Sequence, residues 1–344
     1  MNFIILNRKF GILTIFSVFL LLLAGGIVRS TGSGMGCPDW PKCYDRFIPP
    51  TNTSELPSDY KDIQLAKRLK KAEKFAALLT KLGFEKQAQV ILADPELYIP
   101  EEFNTRKAWT EYLNRLVGVL SGMFALGFII TLFKAKKNIN RTKFWCGLFG
   151  FIMMLFNGWL GSIVVATNLF PIIVTIHYLA AYLALALFLI SISNIYIDNN
   201  NVGLMKYKWF YFGLLILSLI QIYYGTQLRQ VSDYTIKTGQ LYANNILNLD
   251  SLGSQFTIHR LLAIILIIVS IFPVFLLRKS ITKFWKLFLL AVPATFILQY
   301  LSGLANLKLK FPVIPQVGHV FLAGLVFGLS LYICIAIFST SKKH

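Results

Sequence analysis

The chain has 344 residues, of which 56% are apolar and only 14% charged, and its formal net charge is +19. Ordinary soluble domains are about 25% charged, whereas the mean hydropathy here is +0.62. A disordered protein, a coiled coil, a disulfide-framed secreted miniprotein and a soluble enzyme are set aside, and a polytopic helical membrane protein remains. Nucleic-acid binding is set aside as well, because basic residues in such proteins collect in short cytoplasmic loops.

A span needs about 20 mostly apolar residues. In chain order the candidates are 10–28, 112–133, 144–166, 172–196, 209–227, 258–277, 285–303 and 315–338. The first follows Arg8 and Lys9, but no small-residue cleavage site succeeds it, so it reads as a span and not a signal peptide. The loop 29–111 follows, and its middle, 59–92, is rich in Lys, Ala, Leu, Glu and Gln. That stretch predicts one or two amphipathic surface helices forming a solvated cap. Just beyond the first span, Cys37 and Cys43 stand in GCPDWPKC. A disulfide in an oxidising compartment, structural or redox-active, is the favoured reading, with a metal-binding pair as the alternative. Cys146 and Cys334 fall within spans and read as inert apolar filling.

The short basic segments KAKKNINRTK (134–143) and RKSITK (278–283), Lys206, Lys208 and the tail SKKH all fall on the side of the N-terminus if there are eight spans. Both termini are therefore expected to be cytoplasmic, in a bacterial cytoplasmic membrane. The prolines lie mostly near span ends, as do Pro171, Pro312 and Pro315, with Pro293 an exception. This argues against a transporter built on broken helices.

Short segments recur in the same order. GGIVR at 25–29 pairs with GTQLR at 225–229, EYLNRLVG at 111–118 with FTIHRLLA at 256–263, and FPIIVTIH at 170–177 with FPVIPQVGH at 311–319. The expectation is an all-α protein whose eight transmembrane helices form two parallel-repeat four-helix bundles, 1–200 (with loop 29–111) and 201–344. A bundle core is a usual place for a cofactor.

Of four histidines, His344 is terminal and the other three lie in or at the ends of spans. Ionisable groups there are costly and usually functional. His259 and His319, in one half, suit a bis-histidine haem; zinc or copper would recruit a Cys, a third His or a carboxylate. His177 matches His319, but the place of His259 is taken by Asn114, leaving one good axial ligand in the first half. Glu111 lies three residues before Asn114, and Phe256 takes its place in the other half. It reads either as a proton-handling carboxylate or as an interfacial Glu paired with Arg115 or Arg29. Arg29, Arg115, Arg229 and Arg260 recur at matched places, and their guanidinium forks suit haem propionates, with interfacial snorkelling as the plainer reading.

RSTGSGMGCPDWPKC, EYLNRLVG, TIHYLAA, FTIHRLLA and VGHVFLAG together resemble the haem A synthase family over nearly the whole chain. The resemblance implies oxidation of a methyl group of haem O to the formyl group of haem A for terminal oxidases. It implies haem b on His259 and His319, the substrate haem on His177, the family's acidic residue in Glu111, and a disulfide between Cys37 and Cys43. It also implies a haem O synthase and oxidase assembly factors as partners; a homo-oligomer is an open expectation. The family motif has a histidine where this chain has Asn114. The favoured reading is an active enzyme in which Asn114 hydrogen-bonds a water or oxygen species on the iron; the alternatives are another sixth ligand, or a non-catalytic haem-binding or electron-transfer cytochrome b.

Overall fold

The computed structural model describes residues 3–193, 199–242, 246–277 and 281–340. The tail SKKH with His344, and the start of the RKSITK segment, lie outside the described residues. Among the described residues there is no strand, only an isolated bridge between Cys43 and Arg46. The α-helices are α1 (Phe3–Ser30), α2 (Tyr60–Lys81), α3 (Glu85–Leu92), α4 (Thr105–Lys134), α5 (Arg141–Ala166), α6 (Pro171–Ile192), α7 (Lys208–Lys237), α8 (Gly253–Leu277), α9 (Lys283–Lys308) and α10 (Val313–Thr340). Eight of them, all but α2 and α3, are long and apolar enough to cross a membrane. The chain is an all-α, multi-pass membrane protein.

Local chemistry fixes the helix ends. The Asn104 side chain caps α4 by accepting from the Lys107 amide at 3.1 Å. Pro171 opens α6, where its missing N–H costs nothing. Before α6 the chain turns through Asn168 and Leu169 at φ 50° and 60°, and before α10 through Lys310 and Phe311, both at φ 58°. These two left-handed pairs begin nine residues before His177 and His319, so one turn shape sets up both histidine helices. Pro273 joins Pro293 inside a helix. A spanning helix tolerates this because neighbouring groups satisfy the freed carbonyl.

The chain divides into two compact units. Unit 1 comprises 1–138 and 148–184; unit 2 comprises 139–147 and 185–344. In unit 1, α1 packs along α4. Asn7 donates from α1 to the Phe128 carbonyl (3.1 Å) and to Thr131 Oγ1 (3.2 Å), and Ser121 Oγ reaches the Ser17 carbonyl (3.3 Å). Such polar ties join apolar helices where lipid offers no competing partner. The segment between α1 and α4 folds as α2 and α3, as the composition of 59–92 predicts, and packs Phe75 and Ile91 against Ile173 of α6. Unit 2 closes on itself: α7 touches α8, α8 touches α9, α9 touches α10, and α10 returns to α7.

Candidate functional site

In unit 2, His259 on α8 and His319 on α10 face one another with ring centroids 6.2 Å apart and planes inclined by 57°. His319 Nδ1 donates to the Gln299 carbonyl at 2.9 Å, with Ser302 Oγ 3.0 Å away. That fixes the tautomer and leaves Nε2 free, the usual arrangement of a metal-ligating histidine. His259 Nδ1 is buried without a partner, while Gln221 Nε2 donates to the His259 carbonyl at 3.0 Å and lies 3.4 Å from its Nε2.

The pair fits a bis-histidine haem. Two metal–nitrogen bonds of about 2 Å, with about 1 Å from each nitrogen to its ring centre, require centroids about 6 Å apart. The unpartnered ring nitrogen of His259 is Nδ1, so the fit rests on the spacing of the two rings and on the free Nε2 of His319. Among the described residues, no group of three or more His, Cys, Asp or Glu side chains could hold a metal ion by itself.

Arg229 pairs with Asp233 at 2.9 Å, donates to Gln316 Oε1 and lies 5.8 Å from the Phe311 ring centre, while its buried Nε has no partner. Arg260 lies 5.5 Å from the ring centre of Phe256. Phe256 thus serves the arginine at the position that holds Glu111 in unit 1.

Unit 1 has a different character. His177 on α6 also has a buried Nδ1 without a partner. Asn114 is partly buried on α4, and Arg29 closes the last turn of α1. Glu111 is buried on α4, and its Oε1 accepts from Arg115 Nε at 3.1 Å, one helical turn on. Of the two arginines weighed from sequence, Arg115 is the one that takes Glu111. The rest of the Arg115 guanidinium is engaged elsewhere. Nη1 donates to the carbonyls of Asp39 and Lys42, and Nη2 to that of Cys37, all at 2.8 Å. Arg115 therefore joins the buried carboxylate to the loop 37–43, and little of its donor capacity is left for a propionate.

The disulfide Cys37–Cys43 closes that loop, with Cα atoms 4.7 Å apart and both cysteines almost fully buried. Gly36 brings the loop onto α4: a Cβ there would lie 2.2 Å from the Lys107 carbonyl oxygen, so only glycine fits. The Asp39 carboxylate accepts from the backbone amides of Tyr44 (2.7 Å) and Asp45 (2.8 Å). Helix α2 holds the loop from outside, with Lys71 on the Trp40 carbonyl (2.9 Å), Gln64 on Asp45 (3.1 Å) and Lys67 paired with Asp45. The Lys67 hydrogen bond keeps the Asp45 carboxyl below its usual range, and burial pushes the Tyr44 phenol upward. Arg68, only 2% exposed, donates to the Leu97 carbonyl at 2.8 Å and to that of Ile99.

Reading the sequence missed Arg115 as a clamp and the burial of Arg68. It also missed the glycines opposite the histidines, although their signal was there: Gly161 and Gly303 each stand 16 residues before a histidine.

Known proteins resemble this chain over most of its length. A haem A synthase of Bartonella henselae is 26% identical over 306 residues, covering 80% of this chain and 77% of that protein. One of Exiguobacterium sp. is 21% identical over 331 residues, covering 95% and 92%. A haem A synthase of Shewanella oneidensis is 26% identical over 178 residues, covering 52% of this chain and 42% of that protein. The profile of the cytochrome oxidase assembly proteins COX15-CtaA matches residues 8–77 and 79–331, from the first spanning helix into the last, and the chain belongs to that family.

Proposed function

We propose that this protein is a haem A synthase, which oxidises a methyl group of haem O to the formyl group of haem A for terminal oxidases. The observation that carries the reading is the facing pair His259 and His319, in a chain whose relatives are haem A synthases. In this reading the chain is two copies of one four-helix unit, 1–200 and 201–344, with both termini cytoplasmic. His259 and His319 hold a resident haem b, and His177 holds the substrate haem. Bound there, haem b would supply a one-electron relay. Arg229 and Arg260 would meet the propionates in the second half, and Arg29, with any donor Arg115 has left, in the first.

The chain's own part in the chemistry falls to Glu111 and Asn114. Glu111 is a buried carboxylate in the half that has a single imidazole, held in one orientation by Arg115. It can take and return a proton there. Asn114 offers one donor group and one acceptor beside it, but no ligand nitrogen of a histidine. Haem O synthase and the oxidase assembly machinery are the partners that this reading requires.

The test is haem extraction and chromatography from cells making this protein with a haem O synthase. Haem A is expected only when both are present. Unchanged haem O, with haem b on the purified protein, would overturn the enzyme reading and favour a binding or electron-transfer cytochrome b, which the substitution at Asn114 specifically suggests.

A further inference from the structure

Helix α2 gathers lysines on one face. Lys67, Lys70, Lys71 and Lys74 stand at i, i+3, i+4 and i+7, beside the buried stripe of Arg68, Ala72 and Phe75. Like charges at these spacings oppose a helix. The carboxylates nearby offset this only in part. Asp45 takes Lys67 and also accepts from Gln64, while the Asp39 carboxylate is occupied by the amides of Tyr44 and Asp45. Lys71 donates to the Trp40 carbonyl. Lys70 and Lys74 are exposed and make no hydrogen bond or ion pair among the described residues.

The lysine face is one wall of a cleft of about 380 Å³, and the loop 39–47 is the other. From the loop, Lys42 adds a fifth ammonium group, 5.3 Å from the centre of the Phe47 ring. Five ammonium groups thus line the cleft against two carboxylates that are already engaged. Trp40 and Phe47 complete the lining, 43% and 77% exposed. Lysines beside exposed aromatic rings suit an anion that carries apolar chains better than a bare ion.

The contacts that hold the two walls set the depth of the cleft in the membrane. Arg115, which grips the loop carbonyls of Cys37, Asp39 and Lys42, stands just inside the predicted span 112–133. Beyond the lysines, Phe75 meets the Trp159 ring edge-on, with centroids 6.3 Å apart, and packs on Ile173. Trp159 lies in the last two turns of α5 and Ile173 in the first turn of α6. All these contacts are on the side where α4 and α6 begin and α5 ends. Helix α2 therefore runs along the membrane surface at the level of the headgroups, where Trp and Lys side chains are favoured.

We propose that the cleft between the loop 39–47 and the lysine face of α2 binds the phosphate headgroup of an anionic phospholipid in the adjoining leaflet. Lys42, Lys70 and Lys74 supply the charge, and Trp40 and Phe47 meet the apolar part of the lipid. The site is independent of the haem reading above.

The test uses the purified full-length protein in a neutral detergent. Native mass spectrometry follows the binding of phosphatidylglycerol and, separately, of phosphatidylcholine, which has no net charge. Phosphatidylglycerol is expected to bind more tightly, and added salt to narrow the difference. Lys70→Gln together with Lys74→Gln should weaken phosphatidylglycerol binding by about tenfold or more and leave phosphatidylcholine unchanged. Lys81→Gln together with Lys86→Gln removes the same charge outside the cleft and should change neither. Acylation of lysine amines locates the lipid, and tests the same point without any variant: with phosphatidylglycerol bound, Lys70 and Lys74 should be protected and Lys81 and Lys86 should not. Equal affinity for the two lipids, or an equal loss in both double variants, would overturn the proposal. So would protection by inorganic phosphate and not by phosphatidylglycerol, which would make the cleft a site for a soluble anion. Protection by a polyglutamate peptide alone would overturn it too, in favour of an acidic protein partner.

Discussion

The two units build on the same local pieces and spend them differently. Unit 2 is a closed ring of four helices with two imidazoles 6.2 Å apart, one of them locked by the Gln299 carbonyl. Unit 1 has one span histidine, a buried carboxylate and an arginine that reaches out to a disulfide loop. A pair of rings locked in place suits a cofactor that stays and shuttles electrons. Unit 1 has no second imidazole to form such a pair, and its buried carboxylate is tied to the disulfide loop through Arg115. At the positions that the recurring segments pair, Glu111 stands against Phe256 and Asn114 against His259.

That contrast can be broken most severely in unit 2. On the proposed reading, in which each half holds one haem, His319→Ala should halve haem per chain while the protein still inserts in the membrane. Pyridine haemochrome assay against protein concentration reads this directly, and unchanged haem content would rule out His319 as a ligand. A comparably large effect is expected in unit 1 from Gly36→Ala. Its methyl group would collide with the Lys107 carbonyl, so the loop must leave α4 and expose Cys37 and Cys43. Thiol labelling after mild reduction should rise sharply in the variant and stay low in the parent. Haem in unit 2 should be unaffected.

Arg115→Ala should act at the next level down. It leaves Glu111 buried without its partner and three loop carbonyls without their donor, a change that costs about 3 kcal/mol. Thermal unfolding followed by loop proteolysis should show it, and Arg115→Lys should recover only part, since an ammonium cannot bridge Glu111 and the loop as the guanidinium does. The smallest effect is one of pH. Thr51 and its neighbours hold the Glu55 carboxyl down to about 2. Because its folded value is depressed, the stabilisation is present above the ordinary carboxylate range and fades as the pH falls toward 2. Proteolytic nicking near 50–56 should therefore increase in acid, and in Glu55→Gln it should already be raised at neutral pH.

How much of this was legible in the sequence follows from the kind of signal involved. The spanning helices, α2 and α3 were legible because apolar runs and helix-forming residues act locally. The helices nevertheless run past the apolar stretches: α7 continues to Lys237, ten residues beyond the predicted 227, because hydropathy marks where lipid begins and not where backbone hydrogen bonding ends. The three histidines were legible because ionisable residues are rare in spans. From sequence Arg115 reads both as a propionate partner and as a partner of Glu111; only the fold brings the carbonyls of Cys37, Asp39 and Lys42 to it. Arg68 escaped notice for the same reason, since its acceptors lie some thirty residues downstream in the Leu97–Ile99 turn.

The burial of Cys37 and Cys43 bears on how this protein is made. Thiol–disulfide exchange needs an attacking sulfur in line with the bond and in contact with it. With the loop seated on α4 under Gly36, and Arg115 gripping its carbonyls, both sulfurs are buried and that line is covered. Exchange at this bond, during assembly or afterwards, therefore requires the loop to be off α4. Once seated, it is shielded from the thiols around it, and the mature protein keeps a bond that only an unseated loop could lose.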